Sequence, residues 1–191
     1  PIEDFVVSKN GDYLYYSTAR SLSYAVDAQK DPYNYLKNLK TGNTLQILKE
    51  FEFPISSVSF TQDESGFYFS SDYASDPKWN GAGISELYFY DIASQRAQKV
   101  NIDWSLGLGN GFNVNGNDVV ASLANKATMK LAYLKKQGSN WSKSVIDLGA
   151  KNDHVTIEAI ADNSSKVIYS HSTASKLPQY FVADLKGSKF Q

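Results

Sequence analysis

His154 and His171 are the only imidazoles in the chain, and there is no cysteine. Structural zinc sites draw on sets of Cys and His at short spacings, which two distant histidines do not supply, so no metal ligand is assigned. The lack of cysteine also removes disulfides and thiol catalysis. A serine hydrolase would present its nucleophile on a Gly-x-Ser-x-Gly elbow. Neither Gly83-Ile84-Ser85-Glu86-Leu87 nor Gly138-Ser139-Asn140-Trp141-Ser142 completes that pattern. A triad also needs a histidine oriented by a carboxylate. Asp153 and His154 are consecutive, and consecutive residues of a strand point to opposite faces. His154 therefore reads as a loop residue and His171 as a polar strand-end residue beside Ser170. No catalytic residue and no cofactor site follow from these patterns.

Weaker patterns reduce to turns. Asn113, Asn115, Asn117 and Asp118 suggest an oxygen-rich calcium loop, but the Asp-rich start and distant bidentate Glu of an EF-hand are lacking, and a hairpin turn accounts for them. Gly107, Gly109 and Gly111 alternate without a following helix to present amides to phosphate. Asn140-Trp141-Ser142 and Asn163-Ser164-Ser165 match the loose glycosylation acceptor pattern.

The 191 residues suit one domain better than two. Nineteen basic and twenty acidic side chains nearly cancel, which argues against a nucleic-acid partner, since such surfaces show a basic excess or stripe. Apolar residues make up 42%, enough for a core, yet no apolar run approaches the length that spans a membrane. Aromatic content is 14%, which favours strands.

A repeat organises the chain. An aromatic or β-branched run ending in Ser occurs as Tyr13-Leu14-Tyr15-Tyr16-Ser17, Phe67-Tyr68-Phe69-Ser70, Val119-Val120-Ala121-Ser122 and Val167-Ile168-Tyr169-Ser170. The serines are separated by 53, 52 and 48 residues, close to the blade length of a β-propeller. Each run follows a shorter apolar stretch and a polar turn: Phe5-Val6-Val7 before residues 8–12, Val58-Ser59-Phe60 before 61–66, Phe112-Asn113-Val114 before 115–117, and residues 157–160 before 161–165. The pair Asn10-Gly11 suits the positive φ angles of a type I′ hairpin. Third strands are expected at 33–39, 87–92, 130–134 and 180–185, and fourth strands at 44–48, 97–102 and 144–148. The last unit stops at Gln191 where its fourth strand should start.

The expected fold is all-β: about four four-stranded antiparallel blades of a partial β-propeller, with units at 1–50, 51–104, 105–150 and an incomplete 151–191. Residues 21–30 have room for one or two helical turns at most. A start at Pro1 and an end inside a unit lead us to expect a fragment of a longer protein rather than a closed ring. The longest connections, 18–32 and 72–85, leave the same strand end of their blades and so share one face. The second holds Tyr73, Pro77, Trp79 and Asn80-Gly81-Ala82-Gly83, an aromatic among flexible residues. Loops on a rigid scaffold often carry binding, and Tyr73, Trp79 and Asn80 are the candidate binding residues; the alternative is that Trp79 only packs its loop onto the blade. Asp4, Ser59, Asn113 and Glu158 fall on or beside the innermost strands, where they would line a channel.

The stretch Phe60-Thr61-Gln62-Asp63-Glu64-Ser65-Gly66-Phe67-Tyr68-Phe69-Ser70-Ser71 with Glu86-Leu87-Tyr88-Phe89-Tyr90-Asp91 resembles the WD40-like repeat of TolB-type propellers. Residues 168–185, from Ile168-Tyr169-Ser170 through Pro178 to Ala183-Asp184-Leu185, resemble the last blade of the non-catalytic propeller in the prolyl oligopeptidase family of serine peptidases, which includes dipeptidyl and acylaminoacyl peptidases. The resemblance implies a gate and not a catalyst: a propeller capping an α/β-hydrolase domain of the same polypeptide and admitting short peptides. The family's triad lies in that hydrolase domain, and none of it maps here. The paired glutamates that hold a substrate N-terminus in dipeptidyl peptidases have no match either. The rival is a TolB-like interaction or sensor propeller without a hydrolase. A polysaccharide-cleaving propeller would need charged groups converging on the channel, and only Arg20 and Arg96 supply arginine.

Overall fold

The structure is a computed structural model. It describes residues 2–19, 21–23, 26, 32–51, 54–73, 83–146, 148, 154–161, 165–185 and 187–190. The described residues form sixteen strands in four meander sheets of four. The first sheet holds β1 (Ile2–Val7), β2 (Tyr13–Thr18), β3 (Tyr33–Asn38) and β4 (Thr44–Ile47). The second holds β5 (Ile55–Phe60), β6 (Gly66–Tyr73), β7 (Ile84–Asp91) and β8 (Arg96–Lys99). The third holds β9 (Leu108–Asn115), β10 (Asp118–Asn125), β11 (Thr128–Gln137) and β12 (Asn140–Ile146). The fourth holds β13 (His154–Ile160), β14 (Lys166–Thr173), β15 (Lys176–Asp184) and β16 (Gly187–Phe190). The proposed helical segment at 21–30 lies mostly outside the described residues.

Two expectations are corrected. The fourth unit is not short of its last strand: β16 folds back on β15, pairing Ala183 with Phe190 and Asp184 with Gly187. Four residues suffice for that return, fewer than a sequence pattern can signal. The third unit's strands are also longer than expected. A two-residue turn at Gly138-Ser139, with Gly138 at φ +62°, brings Gln137 opposite Asn140, so pairing runs through the lysine-rich stretch that reads as a turn.

The chain divides into two compact units, residues 1–83 with 88–99, and 84–87 with 100–191. In the first, alternation along β2 and β3 buries Tyr15 and Leu36, which pack with Ile47, Leu48, Val58, Phe60, Phe67, Phe69 and Tyr90. Rings dominate this core. Phe67 stacks on Tyr90 at 5.0 Å and Phe69 on Tyr88 at 5.3 Å, while Phe51 meets Phe69 and Tyr88 edge-on. β6 is buried from Gly66 to Ser71 on both faces, as expected of a strand covered on both sides.

In the second unit the core is aliphatic: Val120, Leu131, Ile146, Val155, Val167, Ala183 and Leu185, with Tyr169. The same alternation produces it. Val120 of β10 pairs with Tyr133, and Val167 of β14 with Ala183.

The hairpin turns repeat as closely as the strands. In the first sheet the Gly11 N–H donates to Ser8 O, and the Ser8 N–H to Tyr13 O. In the second the Glu64 N–H donates to Thr61 O, and the Thr61 N–H to Gly66 O. A hydroxyl supports each turn, Ser8 Oγ accepting from the Tyr13 N–H and Thr61 Oγ1 from the Gly66 N–H. The expected type I′ geometry at Asn10-Gly11 is not adopted. Only Gly11 takes positive φ, at +78°, and its counterpart Glu64 does so at +54°. A non-glycine residue in that region needs compensation. Glu64 supplies it by accepting the Asn10 N–H on Oε1 at 2.7 Å, which ties one turn to the other.

Candidate functional site

The serines that mark the repeat sit where the inner strands are irregular. The register of each inner strand shifts once: between Ile2 and Asp4, between Ser56 and Ser59, opposite Ala121 and Leu123, and between Ile157 and Ala159. A bulge leaves backbone groups out of the ladder, and a short hydroxyl side chain can satisfy them locally. Ser17, Ser70, Ser122 and Ser170 are all buried. Ser70 Oγ lies 2.9 Å from Ser56 Oγ and donates to Ser56 O at 3.3 Å. Ser122 Oγ accepts the Asn110 N–H, and Ser170 Oγ donates to Glu158 Oε1 at 2.5 Å. In the second, third and fourth sheets the repeated serine therefore fastens a bulged inner strand.

The channel candidates fall on these strands. Asp4 pairs with Ser17 and Ser59 with Tyr68, Asn113 pairs with Val120, and Glu158 is the bulged residue that accepts from Ser170. Asp4, Asn113 and Glu158 are exposed and Ser59 is half-buried. They remain on separate strands. One polar cluster does form across two inner strands of the second unit: Asn110 Nδ2 lies 3.4 Å from His154 Nε2 and donates to Thr156 Oγ1 at 3.3 Å. His154 thus opens β13 and is not a loop residue. Asn110 and Thr156 escaped the sequence reading. The signal was present in the repeat, since Asn110 enters its inner strand near the place where His154 enters the next.

His171 stacks on Phe181 at 4.4 Å and on Tyr169 at 6.4 Å, an aromatic packing role rather than a strand-end position. Among the loop-face candidates, Tyr73 ends β6, half exposed, with the Lys99 ammonium 5.8 Å from its ring centroid. Trp79 and Asn80 lie outside the described residues.

Tyrosine hydroxyls carry the marked electrostatic shifts. Burial, with the Asp4 charge adding to it, raises the Tyr15 hydroxyl well above the usual phenol range; this hydroxyl donates to Asn34 Oδ1 at 2.8 Å. Burial, with Glu50 and Asp91 nearby, pushes Tyr90 up to about 12. Tyr133 is raised by burial and by its hydrogen bond to Asp118. All three stay protonated at neutral pH, and the Tyr15 and Tyr133 hydroxyls act as hydrogen-bond donors.

No family model matches the chain, and no curated protein matches it in sequence. Solved structures do match. A prolyl endopeptidase superposes at a TM-score of 0.67 with 10% identity, over 99% of this chain and 27% of its own. TolB from Acinetobacter baumannii matches at 0.59 with 13% identity, over 97% of this chain and 41% of its own. The β-propeller domain of the Trilobed protease from Pyrococcus furiosus, which has an open velcro topology, matches at 0.58 with 9% identity, over 99% of this chain and 56% of its own. The chain thus spans between about a quarter and just over half of the length of these three. Identities this low speak for the fold and not for an activity. Four meander sheets, a bulged inner strand in each and these three likenesses together make the fold that of a partial β-propeller, of the type found in TolB and the prolyl peptidases.

Proposed function

We propose that these residues serve as the non-catalytic propeller of a prolyl-oligopeptidase-like serine peptidase, gating the access of short peptides to an α/β-hydrolase domain of the same polypeptide. The observation that carries this reading is the likeness to a prolyl endopeptidase, which takes in nearly the whole of this chain and about a quarter of the other. For that endopeptidase, inter-domain dynamics have a role in catalysis and specificity. The sequence contains no nucleophile elbow, which suits a domain that filters rather than cuts. The connection between β6 and β7, flanked by Tyr73, is the part we expect to face the hydrolase domain or the incoming peptide. Replacing Trp79 by Ala and finding turnover and stability unchanged in the whole polypeptide would remove that part of the proposal.

The test of gating compares one cleavable sequence in two settings, as a free short peptide and inside a folded protein. The whole polypeptide carrying these residues is expected to cleave the first and spare the second, and the 191-residue chain alone to cleave neither. Comparable cleavage of both by the whole polypeptide would sink the gating role. A polypeptide without peptidase activity would instead favour a binding module of the TolB kind, which the likeness over 97% of this chain supports.

A further inference from the structure

We propose that strand β12 is a docking edge for an extended acidic segment of a partner protein, which joins the third sheet as a further strand and seats one bulky apolar side chain in the cavity at the end of β12. Three independent observations converge on this edge.

The first is length. Natural sheets blunt their outer edges, often by keeping the edge strand very short. β4, β8 and β16 follow that rule with four residues each, whereas β12 has seven and is the terminal strand of its sheet. The tight turn at Gly138-Ser139 makes Gln137 and Asn140 a hydrogen-bonded pair, so bonded pairs recur at Lys135–Ser142, Tyr133–Ser144 and Leu131–Ile146. The intervening residues, Lys143 and Val145 among them, turn their N–H and C=O away from β11. That is the arrangement by which an extended peptide adds to a sheet.

The second is the cavity. A half-open pocket of about 160 Å³ is lined by Met129, Lys130, Leu131, Val145, Ile146, Leu148 and Val155. A pocket of about this size has room for a benzene-sized group, hence for one Leu or Phe side chain against its aliphatic lining. Val145 and Ile146 belong to β12 itself, so the cavity adjoins the edge. A pocket for a side chain beside a sheet edge is what gives strand addition its specificity.

The third is charge. From Thr128 to Ile146 the hairpin carries Lys130, Lys135, Lys136 and Lys143 and no carboxylate, in a chain whose net charge is −1. Lys143, on the edge strand, donates to the Asp103 carbonyl at 2.7 Å and lies 5.4 Å from the Trp104 ring centroid. Among the described residues these two partners are uncharged, which leaves the ammonium charge to meet an incoming carboxylate. The same charges disfavour a second copy of this chain on the edge, because like would face like.

The test is fluorescence anisotropy on the full 191-residue chain, with a fluorescein-labelled peptide Glu-Thr-Glu-Phe-Glu-Thr-Glu as the probe. Saturable binding is expected. It should weaken at least tenfold when the probe's Phe is replaced by Ala, when Lys143→Glu inverts the edge charge, and when Val145→Pro removes an outward N–H without touching the ladder to β11. The first two changes leave the backbone of the protein untouched, so they decide the matter even if the proline variant unfolds. The proposal is overturned by any of three results: no saturation up to about 1 mM, equal binding of the Ala probe, or duplex DNA competing as well as the unlabelled peptide, which would reduce the edge to a general polyanion surface.

Discussion

The two units build the same pair of meander sheets from different materials. The first packs rings: Phe67 alone meets Tyr15, Phe60, Phe69 and Tyr90 at centroid distances of 5.0 to 6.1 Å. The second packs aliphatics around one buried ring, Tyr169, on which Phe181 stacks at 5.6 Å. Every sheet in both units shifts register once along its inner strand, so alternation and turn placement set the sheet, and side-chain type decides how the interior is filled. The turns differ in the same way. Where the first unit links two turns through Glu64, the third sheet uses the Asp118 carboxylate, which accepts the Lys136 N–H and the Tyr133 hydroxyl. In the first, second and fourth sheets a backbone carbonyl does the corresponding work, accepting from Leu39, Ile92 and Leu185.

The largest expected effect tests whether rings contribute more than their area. Phe67→Ala removes a ring with four aromatic partners, and should cost about 4–5 kcal/mol in urea unfolding, against about 3 kcal/mol for Leu131→Ala in the aliphatic core. Equal losses would mean that ring geometry adds nothing and that the two cores are energetically alike. Next comes Glu64. Glu64→Ala keeps a non-glycine residue at positive φ and loses the bond to Asn10, so about 1–2 kcal/mol should be lost. Glu64→Gly loses the same bond but relieves the backbone by about 1 kcal/mol, and should come close to the parent. If both variants lose equally, the link between turns does not compensate backbone strain.

Alkaline titration sharpens the comparison further. Tyr15, Tyr90 and Tyr133 are raised in the folded state, so they contribute stability that is complete below the ordinary tyrosine value of about 10 and is lost as pH rises toward the folded values. Stability should be level from pH 8 to about 10 and fall above it, with a shallower fall in Tyr90→Phe. A decline that starts near pH 8 would assign the transition to other groups. The smallest effect is expected at the exposed Lys40–Asp12 pair, 2.5 Å apart. Lys40→Ala should leave the thermal midpoint within measurement scatter, since solvent screens such pairs.

Much of the architecture was legible in the sequence because its signals are local. Strand alternation, the Ser-ended runs and the Gly- or Asn-containing turns lie within a few residues of one another. The third unit's long hairpin and β16 were not legible, for opposite reasons. One hides its strands in a lysine-rich stretch, and the other has too few residues to form a pattern. His154 reads as a loop residue because a strand's first residue carries no periodicity of its own, and Asn110 meets it and Thr156 only through the side-by-side placement of β9 and β13.

The sequence by itself determined the period of the repeat, the two-faced strands and the absence of a nucleophile elbow, since each is written in residue type and spacing. Only the tertiary structure decided what the repeated serine does, which residue compensates Glu64, and that one outer strand of the four is long and beside a pocket. Those properties depend on register and on which elements lie side by side, and a linear pattern does not record either.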